Sequence, residues 1–122
     1  MSLETTPILL VEDDVSLQTS LRDLLRDNGY QTHTAGTRGD GLKLLRSVRP
    51  AVCLLDLNLP DGSGVDILKS IQNEGLGTQV IVISAFPMGD LRKRFEATVV
   101  ATMTKPVSPD QLLEMVDKIT RK

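Results

Sequence analysis

The sequence predicts an α/β domain in which a five-stranded parallel sheet is covered by helices on both faces. Three observations carry that expectation. Five short apolar runs are separated by segments of helical periodicity, so strand and helix alternate five times. The first and fourth runs, Ile8-Leu9-Leu10-Val11 and Val80-Ile81-Val82-Ile83, are continuously apolar, which is the pattern of strands buried on both faces. Glycine and proline punctuate the junctions, at Gly29, Pro50, Gly75 and Pro106. With 122 residues, the chain is one domain's worth, and right-handed crossovers place the helices on both sides of the sheet.

The first strand is Pro7 to Val11. A helix follows over Val15 to Asn28, with Leu17, Leu21, Leu24 and Leu25 at helical spacing and Gly29 in the position that ends a helix. Tyr30 to Ala35 is the second strand. Thr37 to Val48 is the second helix, striped by Leu42, Leu45 and Val48 and weakened by Gly39 and Gly41, each about 1 kcal/mol poorer than alanine. Ala51 to Leu55 is the third strand. Pro60, Gly62 and Gly64 make Asn58 to Gly64 a loop, and a helix follows from Val65 to Glu74 with Ile67, Leu68 and Ile71 inward. Val80 to Ile83 is the fourth strand. Residues 88–97 read as a helix with few apolar side chains, and Val99 to Thr104 is the fifth strand. Ser108-Pro109-Asp110-Gln111 starts the last helix with a hydroxyl cap, proline at the first position and glutamine at the third. That helix turns Leu112, Leu113, Val116 and Ile119 inward.

Composition excludes several classes. Apolar residues make up 40% and charged residues 25%, the mix of an ordinary soluble globule rather than a disordered chain. No stretch approaches the ~18 apolar residues of a membrane span, and Met1-Ser2-Leu3-Glu4-Thr5-Thr6-Pro7 lacks the pattern of a secretory signal. Cys53 is the only cysteine and His33 the only histidine, which rules out an internal disulfide and a Cys- or His-built metal site. A net charge of −2, with Tyr30, Phe86 and Phe95 the only aromatics, leaves no footprint for nucleic acid. The expected setting is a reducing compartment, the cytoplasm. Residues 1–6 read as an N-terminal extension, with Met1-Ser2-Leu3 a cloning remnant, and 7–122 as the domain.

Ligands of such sheets bind beyond the carboxyl ends of the strands. Glu12-Asp13-Asp14 follows the first run, Asp56 the third, Ser84 the fourth and Lys105-Pro106 the fifth. Singly, each has a plain structural role: an acid at a strand end caps a helix, and a lysine before proline is a surface residue. Together they put at least three carboxylates, a hydroxyl and an ammonium on one rim. Crowded carboxylates repel and call for a cation, and an all-oxygen donor set favours a hard ion such as Mg²⁺. A metal, a lysine and a hydroxyl around one aspartate suit phosphoryl transfer, in which charge on three oxygens must be neutralised. The aspartate can itself be the nucleophile.

The sequence resembles the receiver domain of two-component response regulators over residues 7 to 121. The matching stretches are Ile8-Leu9-Leu10-Val11-Glu12-Asp13-Asp14, Leu54-Leu55-Asp56-Leu57-Asn58-Leu59-Pro60-Asp61-Gly62-Ser63-Gly64, Val82-Ile83-Ser84-Ala85 and Lys105-Pro106. The resemblance implies a flavodoxin-like sheet of order 2-1-3-4-5 with five helices, which sets Asp13 beside Asp56. It implies Asp56 as phosphoacceptor, Asp13 as direct Mg²⁺ ligand, Glu12 acting on the metal through water and the main-chain carbonyl of Asn58 as a further ligand. Ser84 is then expected to hydrogen-bond the phosphoryl group, Lys105 to pair with it and Pro106 to follow a cis peptide. Asp14 is expected to cap the first helix. The implied donor is a histidine kinase or phosphotransfer protein, with a second receiver copy or an output domain as further partners. Such a domain promotes its own phosphorylation and is not a turnover enzyme.

The pattern also departs from the family. Thr102 stands where the family usually has a switching aromatic, Thr98-Val99 replaces the usual Gly-Ala pair, and Ser84 to Lys105 is about one residue short. Phe86, two residues after Ser84, is a candidate shield against hydrolytic water. Arg92-Lys93-Arg94 is either a solvated helix face or a charged partner contact. An aspartate-nucleophile phosphatase usually carries a second acid where this chain has Asn58, and the full set of Glu12, Asp13, Asp56, Ser84 and Lys105 argues against a pseudo-receiver. No P-loop occurs. With Arg121-Lys122 following the last helix, the expectation is a stand-alone receiver or a piece of a longer regulator.

Overall fold

The computed structural model describes residues 6–85 and 89–120. In chain order the elements are β1 (Pro7–Val11), α1 (Val15–Asp27), β2 (Gln31–Ala35), α2 (Arg38–Val48), β3 (Val52–Asp56), β4 (Asn58–Leu59), β5 (Gly62–Ser63), α3 (Val65–Glu74), β6 (Gln79–Ser84), α4 (Leu91–Arg94), β7 (Val99–Thr104) and α5 (Pro109–Thr120). The main sheet runs β2-β1-β3-β6-β7 with every neighbouring pair parallel. This is the expected order 2-1-3-4-5, with a small hairpin inserted after the third main strand.

Strands β1, β3 and β6 are buried almost throughout because each face of the sheet meets helices. One cluster joins Leu9, Val11, Cys53, Leu55, Val80 and Val82 to Leu45, Ile67, Leu68 and Leu91 of α2, α3 and α4. The other joins Ile8, Leu10, Val52, Leu54, Ile81 and Ile83 to Leu21, Leu25, Leu112 and Val116 of α1 and α5. Alternate residues of one strand therefore serve opposite cores. Of the expected inward residues, Leu42, Val48, Leu113 and Ile119 are only half-buried.

Local chemistry fixes the helix ends. Asp14 accepts the Leu17 N–H at 3.1 Å, Thr37 the Asp40 N–H at 3.1 Å and Ser108 the Gln111 N–H at 3.3 Å, each satisfying a donor that the first turn leaves unpaired. Gly41, a poor helix former, has a packing reason: a Cβ there would lie 2.9 Å from Ile67 Cδ1 and 3.3 Å from Val11 Cγ2.

Two expectations need correction. Asn58 to Gly64 is not an irregular loop throughout, since Asn58 pairs with Ser63 and Leu59 with Gly62 in an antiparallel hairpin. Of residues 88–97, only Leu91–Arg94 are helical among the described residues. Among its described residues that segment offers just Leu91 and Phe95 to the core, too little apolar surface to hold a longer helix against the sheet. Tyr30 and Ala51 lie just outside their strands, whereas Gln79 and Ser84 extend the fourth.

Candidate metal and phosphoryl site

The site forms where β1, β3, β6 and β7 end. β1 and β3 are neighbours, with Leu10 opposite Leu54 and Val11 opposite Leu55, so the residues just past β1 stand beside the end of β3. Carboxylate oxygens of Glu12, Asp13 and Asp56 all lie within 4.8 Å of one another. Glu12 and Asp56 are buried and Asp13 is exposed, which leaves one open side.

Lys105 reaches in from the end of β7. Its Nζ lies 2.9 Å from Glu12 Oε1 and 3.1 Å from Asp56 Oδ2. Its main-chain N–H donates to the Ser84 carbonyl at 2.8 Å, and the peptide between Lys105 and Pro106 is cis. The other carboxylate oxygen of Asp56 accepts the Asn58 N–H at 3.1 Å, while Glu12 Oε2 accepts the Asp14 N–H at 3.0 Å. Ser84 is buried at the end of β6, one residue beyond the Asp56–Ile83 register pair. Asp14 points away to cap α1, as its place in the acidic run predicts.

Three carboxylates cluster here, and the one ammonium among them pairs with Glu12 and Asp56. Burial raises the Glu12 carboxyl above its ordinary value and neighbouring Asp56 adds to this, against the Asp14 N–H and Lys105, which lower it. Burial pulls the Lys105 ammonium down, but its hydrogen bonds to Glu12 and Asp56, and their charges, raise it overall. The cluster thus carries excess negative charge, offers only oxygen donors and has an exposed edge. Those properties fit a hard divalent cation.

Thr102 is exposed on β7, opposite Val82, and brings no ring to that position. Phe86 lies outside the described residues. Sequence reasoning missed the direct Glu12–Lys105 ion pair, whose partners are 93 positions apart. It also missed a polar link beside the site. Arg38, at the start of α2, pairs with Asp66 of α3 at 2.5 Å, and Asp61 accepts the Arg38 N–H at 2.6 Å. The turn residues Asp61-Gly62 were visible, but no local pattern pairs them with a helix start 23 residues earlier.

The sequence pattern of the response regulator receiver domain matches residues 8–117. The chain belongs to that family. This receiver is 28% identical over 116 residues to the cell cycle transcriptional regulator CtrA of Caulobacter vibrioides, covering 94% of this chain and 50% of that protein. It is 32% identical over 115 residues to the transcriptional regulatory protein DltR of Streptococcus agalactiae, covering 93% and 51%. It superposes on the crystal structure of a CheY-like receiver domain protein from Methanospirillum hungatei with a TM-score of 0.86 and 28% identity, covering 95% of this chain and 94% of the other. The chain spans about half the length of the curated relatives it matches. A response regulator receiver serves two-component signalling and is regulatory rather than metabolic. No helix among the described residues is long and apolar enough to cross a membrane.

Proposed function

We propose that this receiver accepts a phosphoryl group on Asp56 from a phosphohistidine donor, with Mg²⁺ held at Glu12, Asp13, Asp56 and the main-chain carbonyl of Asn58. The observation that carries the reading is Asp56 itself. It is a buried carboxylate gripped by Lys105 Nζ and the Asn58 N–H, each at 3.1 Å, with two further acids within 4.8 Å. A carboxylate oxygen of Asp56 attacks phosphorus, a P–O bond forms, the P–N bond of the donor breaks, and the imidazole leaves to pick up a proton from solvent. Lys105 follows the charge: its ammonium, shared between Glu12 and Asp56, pairs with the incoming phosphoryl oxygens. Ser84 donates its hydroxyl to the same group. Asp13 serves as direct ligand and Glu12 as an outer acid. When bound, the ion supplies positive charge against the phosphoryl oxygens.

The new charge at Asp56 then biases a pre-existing equilibrium at the α4–β7 face, where Thr102 replaces the ring the family usually moves. Phe86 is the candidate shield against hydrolytic water. The partners are a histidine kinase or phosphotransfer protein on the input side and an output domain or second receiver on the output side, in the cytoplasm. CtrA and DltR are named as transcriptional regulators, and an output domain of that kind is the one proposed. Residues 7–122 form the receiver and 1–6 an extension. The domain catalyses its own phosphorylation and slow dephosphorylation without being a turnover enzyme. The test is incubation with acetyl phosphate or a phosphohistidine donor and Mg²⁺. Wild type takes up label that Asp56→Asn loses, and equal labelling of the variant rejects the assignment.

A further inference from the structure

The hairpin that follows the proposed acceptor is held from outside the site. It has only two residues in each strand, far too few to be stable alone. Its inner end is tied to the last residue of β3 through the Asn58 N–H on Asp56 Oδ1, at 3.1 Å, and to the residue after that strand through the Gly64 N–H on the Leu57 carbonyl, at 2.8 Å. Its tip is tied elsewhere. Asp61 accepts the Arg38 N–H at 2.6 Å with one carboxylate oxygen and the Gly39 N–H at 2.9 Å with the other. These donors open α2, where an anionic side chain also meets the favourable end of the helix dipole. The same N–H groups hold the Asp61 carboxyl below its ordinary value.

Arg38 closes the arrangement. Its Nη1 lies 2.5 Å from Asp66 Oδ2 in the first turn of α3. The guanidinium lies against Gly62, where a Cβ would stand 2.9 Å from Nη1. Gly62 has φ +145°, so glycine is needed there both for room and for conformation. Three elements thus converge on the hairpin tip: α2 through its first amides, α3 through Asp66, and the turn through Asp61 and Gly62. Among the described residues, no hydrogen bond or ion pair joins Arg38 or Asp61 to Glu12, Asp13, Asp56 or Lys105. Helix α2 does not depend on Asp61 alone, because Thr37 already caps it through the Asp40 N–H.

We propose that Asp61 and Arg38 are positioning residues for the metal site: by bolting the hairpin tip to α2 and α3, they set the place of Asn58 beside Asp56. This rests on the reading that Asn58 supplies a main-chain carbonyl to the ion. A ligand on a free two-residue hairpin would have to be ordered each time the ion binds, and the clamp does that ordering in advance.

The test compares wild type with Asp61→Ala, Arg38→Gln, Thr37→Ala and Asp13→Ala. Two quantities are read by NMR: amide hydrogen exchange of Asn58 and Gly64 in metal-free protein, and Mg²⁺ affinity by titration. Asp61→Ala is expected to speed exchange at Asn58 and Gly64 and to weaken Mg²⁺ binding about tenfold, the lower end for groups that act on a metal through its ligands. Arg38→Gln, which keeps the main-chain donors to Asp61, is expected to move both in the same direction by less. Thr37→Ala weakens α2 without touching the hairpin and is expected to move neither. Unchanged Asn58 exchange in Asp61→Ala, or equal effects from Thr37→Ala, overturns the clamp. If wild type binds Mg²⁺ no better than Asp13→Ala, the metal reading fails, and the exchange measurement in metal-free protein still decides whether Asp61 holds Asn58.

Discussion

Gly64→Ala is expected to damage stability and phosphoryl acceptance together. Gly64 begins α3 with φ −63° and ψ −16°, a conformation alanine adopts freely, so backbone strain plays no part. Space does. A Cβ at this position would lie 2.6 Å from the Asp56 carbonyl oxygen, 3.0 Å from Leu57 Cα and 3.2 Å from Leu55 Cδ1. Two of the three contacts are backbone, at the end of a fully buried strand, and cannot swing aside. Overpacking costs about 1–3 kcal/mol, and this contact belongs near the upper figure. Restricting the unfolded chain returns about 0.5–1 kcal/mol. The net loss is about 2 kcal/mol, or roughly 8 °C in Tm for a domain of this size. Gly75→Ala is the control. There φ is +61° and nothing lies within 4 Å, so alanine meets left-handed strain of about 1–2 kcal/mol with the same return, for a net loss of about 0–1.5 kcal/mol. Urea unfolding followed by circular dichroism measures both. Only Gly64→Ala moves Asp56, so only it slows phosphorylation by acetyl phosphate, by roughly tenfold for a displacement of a few tenths of an ångström. A Gly75→Ala variant less stable than Gly64→Ala, or a Gly64→Ala variant phosphorylated at the wild-type rate, would refute the reasoning.

Outer-shell groups are worth about 10–100-fold in metal affinity, so Asp13→Ala, which removes a proposed direct ligand, should weaken Mg²⁺ binding by more than about tenfold in a titration. Asp14→Ala should cost about 1 kcal/mol of stability as a lost cap and leave Mg²⁺ affinity unchanged; the reverse pattern would shift the acidic run by one residue. Lys105→Met leaves Glu12 and Asp56 without their ammonium, so the metal-free protein should lose about 2 kcal/mol, below the full value of a buried pair because Lys105 is partly exposed, and Mg²⁺ should raise its Tm by more than that of wild type. Because the folded Lys105 value is raised above 10.5, this contribution is fully present at neutral pH. It is lost only as pH climbs through the raised value, where the stabilities of wild type and variant converge. Burial pushes the Cys53 thiol up to about 12, so alkylation at pH 8 should be negligible until the chain is unfolded in urea, and rapid labelling of native protein would contradict the buried placement.

Much of this was legible because local rules and global fold agree along most of the chain. Val65–Glu74 and Val99–Thr104 were read to their terminal residues, since Gly64, Gly75 and the apolar run of β7 mark them without ambiguity. The rim residues were legible because each stands at the end of a predicted strand, and the strand order that the family resemblance implies put Asp13 beside Asp56. Three features were not. The hairpin at Asn58–Ser63 has strands too short for any alternation to register. The short α4 is a matter of too little apolar surface, which composition hints at but does not bound. The Arg38–Asp61–Asp66 contacts span 23 and 28 positions, and a charged side chain carries no sequence signal of the partner it will meet.

The two faces of the sheet also make the domain mechanically lopsided. β3 sits mid-sheet with every residue buried and a packed core on each side. β7 is one of the two edge strands: only Val99 is fully buried, Thr102 and Thr104 are exposed, the register slips between Val80 and Ile81, and a helix of four residues precedes it. Stiffness therefore falls from the middle of the sheet toward β7. A load applied at Asp56 finds an almost unyielding support behind it and a compliant one beside it, joined through Lys105. Displacement follows compliance, so β7 is the strand expected to move and β3 the one expected to hold. Amide exchange faster along β7 than along β3 is the measurable form of that gradient.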